Sequence, residues 1–429
     1  MNNKRTQRRH PLTPFIICGL AALFYVYDYF IQVAPSVMTH QLMRDFSIGA
    51  AQLGILSAGF YYAYTIMQIP AGLLIDRLGA RKLLSFAVLV SACGVTLFGF
   101  SDSLGLAGFS RFLIGLGSSF AFISALFLVS RWFSHRYFAL IAGFIQLSGS
   151  LGSIFGLAPL AKVINHFGWR EAMIATGLVT FVLAIVYWFV IRDGQPEKIK
   201  SLNKEKKQSE WKRLKTVIKN KQMWWIALVG LVSWVPVACI GALWGVPYLM
   251  KVYGWSNTAA GSLCSLFWIG LGLGSPFIGW LSDKIKSRRK PMVLCFGIGI
   301  AGTFVLLDAS QLTPTIAGLG LFLMGFSSSV QSLTFGLVKD IIPSRVFGTA
   351  SGFNNMAAIV GGAITQPLVG FLLSWQWNGV KVHGVPAYSI HDYQTALIVL
   401  PIAAGVGIAT VWFKLKETHC KKQTSAIAS

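Results

Sequence analysis

The chain has 429 residues, of which 54% are hydrophobic and only 12% are charged, about half the roughly 25% charged share of ordinary globular proteins. A soluble protein of this composition would expose much apolar surface to water, so a soluble fold is excluded and an all-α integral membrane protein is predicted. The net charge of +23 would suit a nucleic-acid partner, but the basic residues are placed like those in the loops of a membrane protein.

Twelve mainly apolar segments are each long enough to cross a bilayer as a helix, which takes about 20 residues. In chain order the predicted spans are 14–39, 49–75, 82–101, 104–130, 137–161, 170–191, 223–250, 258–281, 291–308, 313–338, 347–374 and 393–414. Because their number is even, both chain ends are predicted on the same side of the membrane.

The basic residues predict which side that is. If the first span starts inside, 31 of the 37 lysines and arginines fall in segments on the inner side. Cytoplasmic loops of membrane proteins carry such an excess of Lys and Arg. We therefore expect a multi-pass protein of a bacterial inner membrane, in contact with lipids, with both ends in the cytoplasm and no nucleic-acid partner.

The longest inner connection, 193–221, is strongly basic and divides the spans six and six. It predicts an N-terminal six-helix half (1–192), a cytoplasmic basic linker, a C-terminal six-helix half (222–416) and a cytoplasmic tail (417–429). The linker segment WKRLKTVIK could form a basic amphipathic helix on the anionic inner leaflet. A solvated linker with membrane contact is the plain interpretation, and a partner-binding role stays open. The long outer loop 374–394 receives no role.

Two stretches of the N-terminal half recur in the C-terminal half. GLLIDRLGARK at 72–82 matches GWLSDKIKSRRK at 279–290, and FLIGLGSS at 112–119 matches FLMGFSSS at 322–329. The offsets, 207 and 210 residues, hardly change across the helices between them. The steady offset indicates two homologous halves in parallel orientation, an architecture of secondary transporters that bind substrate near the bilayer midplane.

The stretch GLLIDRLGARK resembles the loop signature of the major facilitator superfamily, G-x-L-x-D-R-x-G-x-[RK]-[RK]. With the twelve spans and the degenerate second copy, the resemblance covers essentially the whole chain. It implies the twelve-helix major facilitator fold and transport by alternating access. The second copy has Lys284 in place of the first arginine and lacks the inner glycine. By resemblance, the cytoplasmic gate comprises Gly72, Asp76, Arg77, Gly79, Arg81, Asp283 and Arg288.

The first span contains a carboxylate, Asp28, about midway along its length. Ionisable residues inside a span are costly and usually mark substrate or ion pathways. Tyr25, Asp28, Tyr29 and Gln32 follow the i, i+3, i+4, i+7 spacing of one helix face, as expected beside a wet cavity. The alternative is a structural carboxylate that is hydrogen-bonded to a neighbouring helix.

Arg111 lies in the fourth span, and a rise of about 1.5 Å per residue places it roughly 5–10 Å shallower than Asp28. Proton symporters of the superfamily commonly pair an acidic residue of the first helix with an arginine of the fourth, and these positions resemble that pair. The hypothesis is that Asp28 takes up and releases a proton, with its affinity set by burial and by Arg111. The alternative is that Arg111 snorkels outward from an interface.

Further aromatic and neutral polar side chains lie inside the predicted spans and could contact substrate, although each could instead join two helices. The seventh span contains Pro236 and Pro247, so it could bend and act as an outer gate. The predicted substrate contacts are Tyr25, Tyr29, Gln32, Tyr61, Tyr62, Gln146, Ser150, Trp234, Trp244, Gln331, Asn354 and Asn355.

The sequence has no P-loop and no nucleophile–base motif, so neither an ATP-driven pump nor an enzyme is predicted. The six cysteines lack metal-binding spacing, and we expect no metal and no cofactor. The preferred prediction is a monomeric secondary transporter whose partners are a small-molecule substrate and protons. It would import a small polar nutrient such as an amino acid, a short peptide or a nucleoside.

The aromatic and amide lining favours such a nutrient, because an organic-anion carrier would be expected to have more than one cationic group in the pocket. The segment YVYDYFIQVAPSVM is also loosely similar to the phagosomal nutrient transporters of intracellular bacteria. Three alternatives stay open. They are uptake or export of a carboxylate siderophore or other organic anion, drug/proton antiport, and a non-transporting sensor with this fold.

Overall fold

The structure is a computed structural model that describes residues 12–133, 135–193, 210–308, 313–343 and 346–422. The described chain is almost entirely helical. The elements before the linker are α1 (Thr13–Val33), a 3-10 turn (Ala34–Val37), α2 (Thr39–Asp45), α3 (Ala50–Leu78), α4 (Ala80–Gly99), α5 (Leu104–Ser118), α6 (Ala121–Trp132), α7 (His135–Phe155), α8 (Ala158–Phe167) and α9 (Trp169–Val190).

The elements from the linker onward include one π-helix and one short hairpin. They are α10 (Glu210–Lys219), α11 (Lys221–Pro236), the π-helix (Val237–Trp244), α12 (Gly245–Tyr253), α13 (Asn257–Ile285), α14 (Arg289–Leu307), α15 (Pro314–Ser327), α16 (Val330–Ile341), α17 (Phe347–Gln376), β1 (Lys381–Val382), β2 (Val385–Pro386), α18 (Ile390–Ala396) and α19 (Val399–Phe413). The two strands pair antiparallel.

Eleven helical segments of the described chain are long and apolar enough to cross a membrane. The predicted all-α membrane fold is therefore confirmed. The predicted second span, which is α3, is not among the eleven. Its three tyrosines and two glutamines make it less apolar than its neighbours. The total of twelve crossings stays a prediction.

Two predicted spans are each broken into two helices at equivalent places. The fourth span breaks between α5 and α6, and the tenth breaks between α15 and α16. Both breaks follow the repeated GLGSS and GFSSS stretches. Ser119 donates its hydroxyl to the Leu116 carbonyl, and Ser329 donates to the Phe326 carbonyl, so serine side chains compete with the helix for backbone partners. The repeat therefore encodes the same irregularity in both halves.

The seventh span contains an eight-residue π-helix directly after Pro236. Proline has no N–H to donate, and π-helical turns are rare and frequent at functional sites. The Trp268 indole donates to the Gly241 carbonyl at 3.2 Å, and the Gln366 amide donates to the Ala238 carbonyl at 2.9 Å. Neighbouring helices therefore hold carbonyl groups of the irregular turn. The predicted gating role of this span stays a prediction.

The helices α3 and α17 lie antiparallel across the boundary between the halves, and α13 lies antiparallel to α7 and α8. We call the side that carries the β1–β2 hairpin the hairpin face. The opposite side, where the start of α11 meets the end of α19, is the termini face. Gln222 donates to the Lys414 carbonyl there at 3.0 Å.

The α3–α17 boundary is tight at the hairpin face and loosens towards the termini face. A Cβ added to Gly54 would lie 2.5 Å from a main-chain oxygen of α17, so only glycine fits there. A Cβ on Gly362 would lie 2.8 Å from an α3 side chain, and one on Gly352 would lie 3.7 Å from the nearest α3 atom. No described atom lies within 4 Å of the same point on Gly348.

The second boundary is close along most of α13. A Cβ on Gly261, near the hairpin face, would lie 3.2 Å from the start of α8. At Gly272 the nearest α7 side chain lies at 3.0 Å, whereas no described atom lies within 4 Å of the point on Gly279. The two halves therefore touch at the hairpin face, whereas nearer the termini face no described atom of the other half lies within 4 Å of the points on Gly348 and Gly279.

Candidate substrate site and gates

The α1 carboxylate Asp28 is buried in the centre of the protein, with 1% of its surface exposed. Its Oδ1 atom has no hydrogen-bond partner among the described residues. Ser118 on α5 faces the carboxylate, and its own hydroxyl donates no hydrogen bond within the described chain. A carboxylate with so few partners is costly to keep ionised in a low-dielectric interior.

Arg111 on α5 is also buried, with 2% of its surface exposed. Its Nη1 atom donates to the Ile31 carbonyl at 3.1 Å and its Nη2 atom to the Ser57 carbonyl at 3.4 Å. The guanidinium lies 5.3 Å from the centre of the Phe60 ring. Its Nε atom has no partner in the described part of the chain. Arg111 therefore joins α1 and α3 through backbone carbonyls and keeps one donor unused.

The direct Asp28–Arg111 pair expected from the sequence is not formed in this structure. No ion pair of 4.0 Å or less connects the two side chains, and Arg111 is directed to Ile31, one helical turn beyond Asp28. Spacing along a helix sets the depth of a residue but not the direction of a long side chain. The proton-coupling role of both residues stays a prediction.

The predicted polar face of α1 is buried and continues onto neighbouring helices. The Tyr25 hydroxyl lies 3.2 Å from the Tyr29 hydroxyl and 3.1 Å from Gln146 Oε1 on α7. Gln32 donates its amide to the Tyr61 hydroxyl on α3 at 2.9 Å. The structure therefore joins Tyr25, Tyr29 and Gln32, which share α1 with Asp28, to Gln146 of the fifth span and Tyr61 of the second.

Trp268 on α13 closes this group from the other half of the protein. Its ring centre lies 5.7 Å from that of Tyr29, in an edge-to-face arrangement. Ser150 lies beside it, within 3.2 Å of the point that a Cβ of Gly272 would occupy. Trp268 was not among the substrate contacts predicted from the sequence. The glycines around Trp268 in this span could have indicated its contact with the other half, since small residues let an aromatic side chain approach another helix.

A second cluster of neutral polar groups lies in the C-terminal half, around Gly230. A Cβ on Gly230 would lie 3.2 Å from both Asn354 Oδ1 and Gln331 Oε1, so glycine leaves room for two amides. Ser233 donates to Gln331 at 3.3 Å, and Asn354 donates to Thr334 at 2.8 Å. Within the described chain, three polar atoms of this cluster have no partner. They are Trp234 Nε1, Gln331 Nε2 and Asn354 Oδ1.

The other predicted contacts are placed differently. Asn355 donates to Gln68 of α3 at 2.9 Å and so joins the two halves; Gln68 was not singled out from the sequence. Trp244 donates to the Gln366 carbonyl at 3.3 Å and packs inside the C-terminal half. Tyr62 is 38% exposed on α3, away from the buried cluster.

The first signature loop turns at Gly79, whose φ of +77° is the left-handed conformation that favours glycine. The Arg81 N–H donates to Asp193 Oδ1 at 2.8 Å, and the Arg81 side chain donates to the Trp188 carbonyl at 2.8 Å. Asp193 therefore caps the start of α4, where helix N–H groups lack internal partners. For three predicted gate residues, the structure describes only the helix backbone. They are Gly72, Asp76 and Arg77.

The second copy of the loop is held by Arg288. Its Nη1 lies 2.8 Å from Asp283 and its Nε 3.1 Å from Asp340. Glu417, just beyond α19, accepts the Arg288 N–H at 2.9 Å and the Ser287 hydroxyl at 2.5 Å. Burial alone would raise the pKa of Glu417, but the hydrogen bonds it accepts lower that pKa to about 2. The start of α14 is thus capped by a carboxylate, as is the start of α4.

At the hairpin face, hydrogen bonds join the two halves directly. The Ala50 N–H donates to the Tyr388 hydroxyl at 2.9 Å, and the Ala51 N–H donates to the Ser374 hydroxyl at 3.0 Å. Asn257 donates to the Val37 carbonyl at 2.9 Å. The 374–394 loop, which had no predicted role, therefore supplies part of the closed face.

Comparison with known proteins identifies the family. A model of the Major Facilitator Superfamily matches residues 18–245 and again 226–428. The fold resembles a D-xylose-proton symporter with a TM-score of 0.75 at 16% identity, covering 97% of this chain and 100% of the other. It also resembles a bacterial homolog of the human lysosomal transporter Spinster in an inward-facing and occupied conformation, with a TM-score of 0.74 at 14% identity over 94% and 97% of the two chains.

Curated relatives span most of the chain. A probable hexose phosphate transport protein of Chlamydia trachomatis is 25% identical over 84% of this chain and 85% of its own length. The probable sulfoacetate transporter SauU of Cupriavidus necator is 24% identical over 86% and 88%. The membrane sensor protein UhpC of Salmonella typhimurium is 27% identical over 92% of both chains. The chain therefore belongs to the Major Facilitator Superfamily and is a multi-pass membrane protein whose general function is transport.

Proposed function

We propose that this protein carries a small organic anion across the membrane by alternating access, with Arg111 as the group that binds the anion. The observation that carries the proposal is the burial of Arg111 at 2% exposure without an acidic partner among the described residues. A buried, unpaired charge is costly, and a substrate of opposite charge would compensate it. The unused Nε donor supports the same interpretation.

Proton coupling follows from the charge balance of the site. With the site empty, an ionised Asp28 and the Arg111 cation have no net charge. When a singly charged anion binds Arg111 and a proton binds Asp28, the net charge is again zero. In a low-dielectric interior both neutral arrangements cost less than binding the anion or the proton alone. A phosphate monoester, whose second pKa is about 6, can enter as its singly charged form.

Neutral groups on both halves would hold the rest of the substrate. Trp234 Nε1 and Gln331 Nε2 are donors without partners in the described chain, and Asn354 Oδ1 is an acceptor without one. A hydroxyl group both donates and accepts hydrogen bonds, so a hydroxylated substrate would satisfy this cluster. Tyr25 and Gln146 offer similar groups on the N-terminal half.

The names of several relatives support an anionic substrate. Those proteins are described as probable transporters of hexose phosphate, of sulfoacetate and, in an Escherichia coli protein 20% identical to this chain, of L-galactonate. Each of these compounds is an anion at neutral pH. An organic anion, which the sequence left as an alternative, therefore becomes the preferred substrate class. Import of an amino acid, peptide or nucleoside becomes the alternative.

We further propose that both chain ends are cytoplasmic in a bacterial inner membrane and that the protein works as a monomer. The lysines and arginines of the termini face support this orientation. The hairpin face is then outside, and the structure, closed at the hairpin face, corresponds to an inward-facing state. Residues such as Tyr388 and Ser374 would form the outer gate.

A sensor is the second candidate function, because UhpC, which is 27% identical to this chain, is described as a membrane sensor protein. A sensor would bind the anion at Arg111 but would not have to release it on the other side. Binding and transport must therefore be measured separately.

Uptake by proteoliposomes tests the proposal. Vesicles with an imposed inward proton gradient are given a hexose phosphate, sulfoacetate, L-galactonate, a neutral amino acid or a nucleoside. We expect gradient-driven accumulation of at least one anion, its loss in Arg111→Gln, and only downhill anion exchange in Asp28→Asn. Accumulation of uncharged compounds alone would contradict the anion assignment. Saturable anion binding without any uptake would favour the sensor.

A further inference from the structure

We propose that the termini face carries a second anion-binding site, separate from Arg111, that takes a small phosphate-bearing molecule. A cavity of about 710 Å³ opens there in the C-terminal half. Its basic lining includes Lys286, Lys339, His419 and Lys421. Small-molecule sites typically measure roughly 300–1,000 Å³, so the cavity is large enough for a phosphorylated metabolite or a lipid headgroup. This inference does not rest on the proposed transport of an anion.

The walls of the cavity come from three separate segments of the chain. Lys286 lies in the loop between α13 and α14, Lys339 lies in the last turn of α16, and Lys421 lies in the tail after α19. Sequence spacing alone would not bring these lysines together, since they are distant along the chain. Their shared position is a property of the fold.

The tail is fastened to the other two walls by side-chain bonds. Thr418 donates its hydroxyl to Asp340 at 2.7 Å, and Cys420 donates its thiol to the Ser282 carbonyl at 3.4 Å. Glu417 accepts hydrogen bonds from the start of α14. The lysines are therefore presented by an ordered concave surface, and less conformational entropy is lost when a ligand binds.

Two carboxylates, Asp283 and Asp340, also line the cavity, and both are already engaged in ion pairs. Asp283 and Asp340 both pair with Arg288, and Glu417 accepts backbone N–H groups. No ion pair within the described chain involves Lys286, Lys339 or Lys421. The cavity therefore presents an excess of positive charge. Lysine is a compact point charge that commonly binds phosphate groups, and several converging lysines favour a multiply charged anion over a single carboxylate.

The excess of Lys and Arg that is usual on a cytoplasmic face does not explain the concave arrangement. The exposed lysines of α10, namely Lys212, Lys215 and Lys219, lie on one short helix and are not among the residues that line the cavity. They match the cavity lysines in number and charge. A purely general basic surface would bind anions equally well through either set, whereas a built site would depend on the cavity set.

Thermal unfolding of the full-length protein in a neutral detergent, with inorganic phosphate as the probe, tests the site. Ionic strength is kept constant with chloride. We expect phosphate to raise Tm saturably, because a ligand of the folded state stabilises it. The triple variant Lys286→Ala, Lys339→Ala, Lys421→Ala should bind phosphate at least about tenfold more weakly. The control triple Lys212→Ala, Lys215→Ala, Lys219→Ala should keep the wild-type response.

Two further arms identify the source of the phosphate and separate the site from the substrate site. In nanodiscs, loss of the phosphate response with phosphatidylglycerol but not with neutral lipid would identify the headgroup as the occupant. A response that persists in both would identify a soluble phosphorylated ligand. Arg111→Gln should leave the phosphate response intact, even if it abolishes anion transport.

The proposal is overturned if the wild type shows no saturable response, or if the α10 control loses as much affinity as the cavity variant. It is also overturned if Arg111→Gln removes the response, since phosphate would then be binding at the central site. If the triple alanine variant does not fold, the single change Lys339→Gln replaces it. Wild-type phosphate affinity in that folded single variant and in Lys421→Gln would equally contradict the site.

Discussion

Closure of the hairpin face should depend on the hydroxyl of Tyr388. This group accepts the Ala50 N–H at 2.9 Å, with Ala50 on α3 in one half and Tyr388 before α18 in the other. The bond can exist only while the two halves touch at this face. Tyr388→Phe keeps the ring but leaves the Ala50 N–H, one of the four unpaired donors at a helix start, without its partner.

The size of the effect follows from the single bond that is lost. A neutral hydrogen bond contributes about 0.5–1.5 kcal/mol net. A loss of about 1 to 1.4 kcal/mol from the closed state alone changes the ratio of closed to open hairpin faces about five- to tenfold. Ser374→Ala removes the neighbouring bond to the Ala51 N–H and should have a similar effect. Because the two bonds involve adjacent N–H groups of α3, we expect their effects to be coupled and not simply additive.

Hydrogen–deuterium exchange measures this opening without introduced labels. The amides at 257–261, at the start of α13, lie at the other boundary between the halves, where Asn257 donates to the Val37 carbonyl. Their exchange should accelerate in Tyr388→Phe only if the whole face opens. Tyr248→Phe is the control, because its hydroxyl donates to the Leu306 carbonyl at 2.8 Å within one half. Unchanged exchange at 257–261, or equal acceleration in the control, would refute the reasoning.

Three more predictions concern Glu417, Gly54 and the ion pair between Asp45 and Arg170. The pKa of Glu417 is lowered from 4.5 to about 2, so its stabilising contribution is complete above about pH 4.5 and is lost as the pH falls towards 2. The Tm difference between wild type and Glu417→Gln should therefore shrink below pH 4.5. A difference that stays constant with pH would contradict this. Gly54→Ala would place a Cβ 2.5 Å from the Gln366 carbonyl and should destabilise the closed hairpin face by about 1–3 kcal/mol, seen as faster exchange at 257–261. The Asp45 carboxylate accepts a hydrogen bond from the Arg170 guanidinium at 2.6 Å, so Asp45→Asn should lower Tm at pH 7. An unchanged Tm would show that this ion pair does not stabilise the fold.

The membrane class and the two halves could be predicted because they depend on patterns that the sequence states directly. Apolar run length identifies spans, and the recurrence of FLIGLGSS as FLMGFSSS predicts homologous halves. The serine-induced breaks after α5 and α15 could not be predicted from hydropathy, because a broken and an unbroken span have the same composition. The repeated stretches nevertheless indicated that the two spans have the same local structure.

The sequence indicated which helix faces are polar, but not which side chains on different helices contact one another. Tyr25 and Gln146 were both candidates, but their bond joins residues that lie on different helices. Arg111 was predicted to lie somewhat shallower than Asp28, whereas the choice between Asp28 and the Ile31 carbonyl as its partner depends on side-chain direction. The choice of a hydrogen-bond partner depends on how neighbouring helices pack. The spacing of residues within one helix does not predict that packing.

The carboxylate caps were missed for a related reason. Asp193 and Glu417 look like ordinary polar residues after the last helix of each half. Their function depends on the start of α4 or α14, which lies more than a hundred residues earlier in the chain. The two loops of the repeat pointed to the equivalent helix starts, but only the fold identified which side chains cap them.

The central claim is that the buried, unpaired Arg111 binds an organic anion. Its most direct test is anion binding by purified wild type, Arg111→Lys and Arg111→Gln, using a hexose phosphate, sulfoacetate and L-galactonate as probes and the rise in Tm as the readout. A charge-assisted hydrogen bond contributes about 1.5–3 kcal/mol, so Arg111→Gln should bind about ten- to a hundredfold more weakly, and Arg111→Lys should fall between. Wild-type affinity in Arg111→Gln for every anion that the wild type binds would contradict the claim.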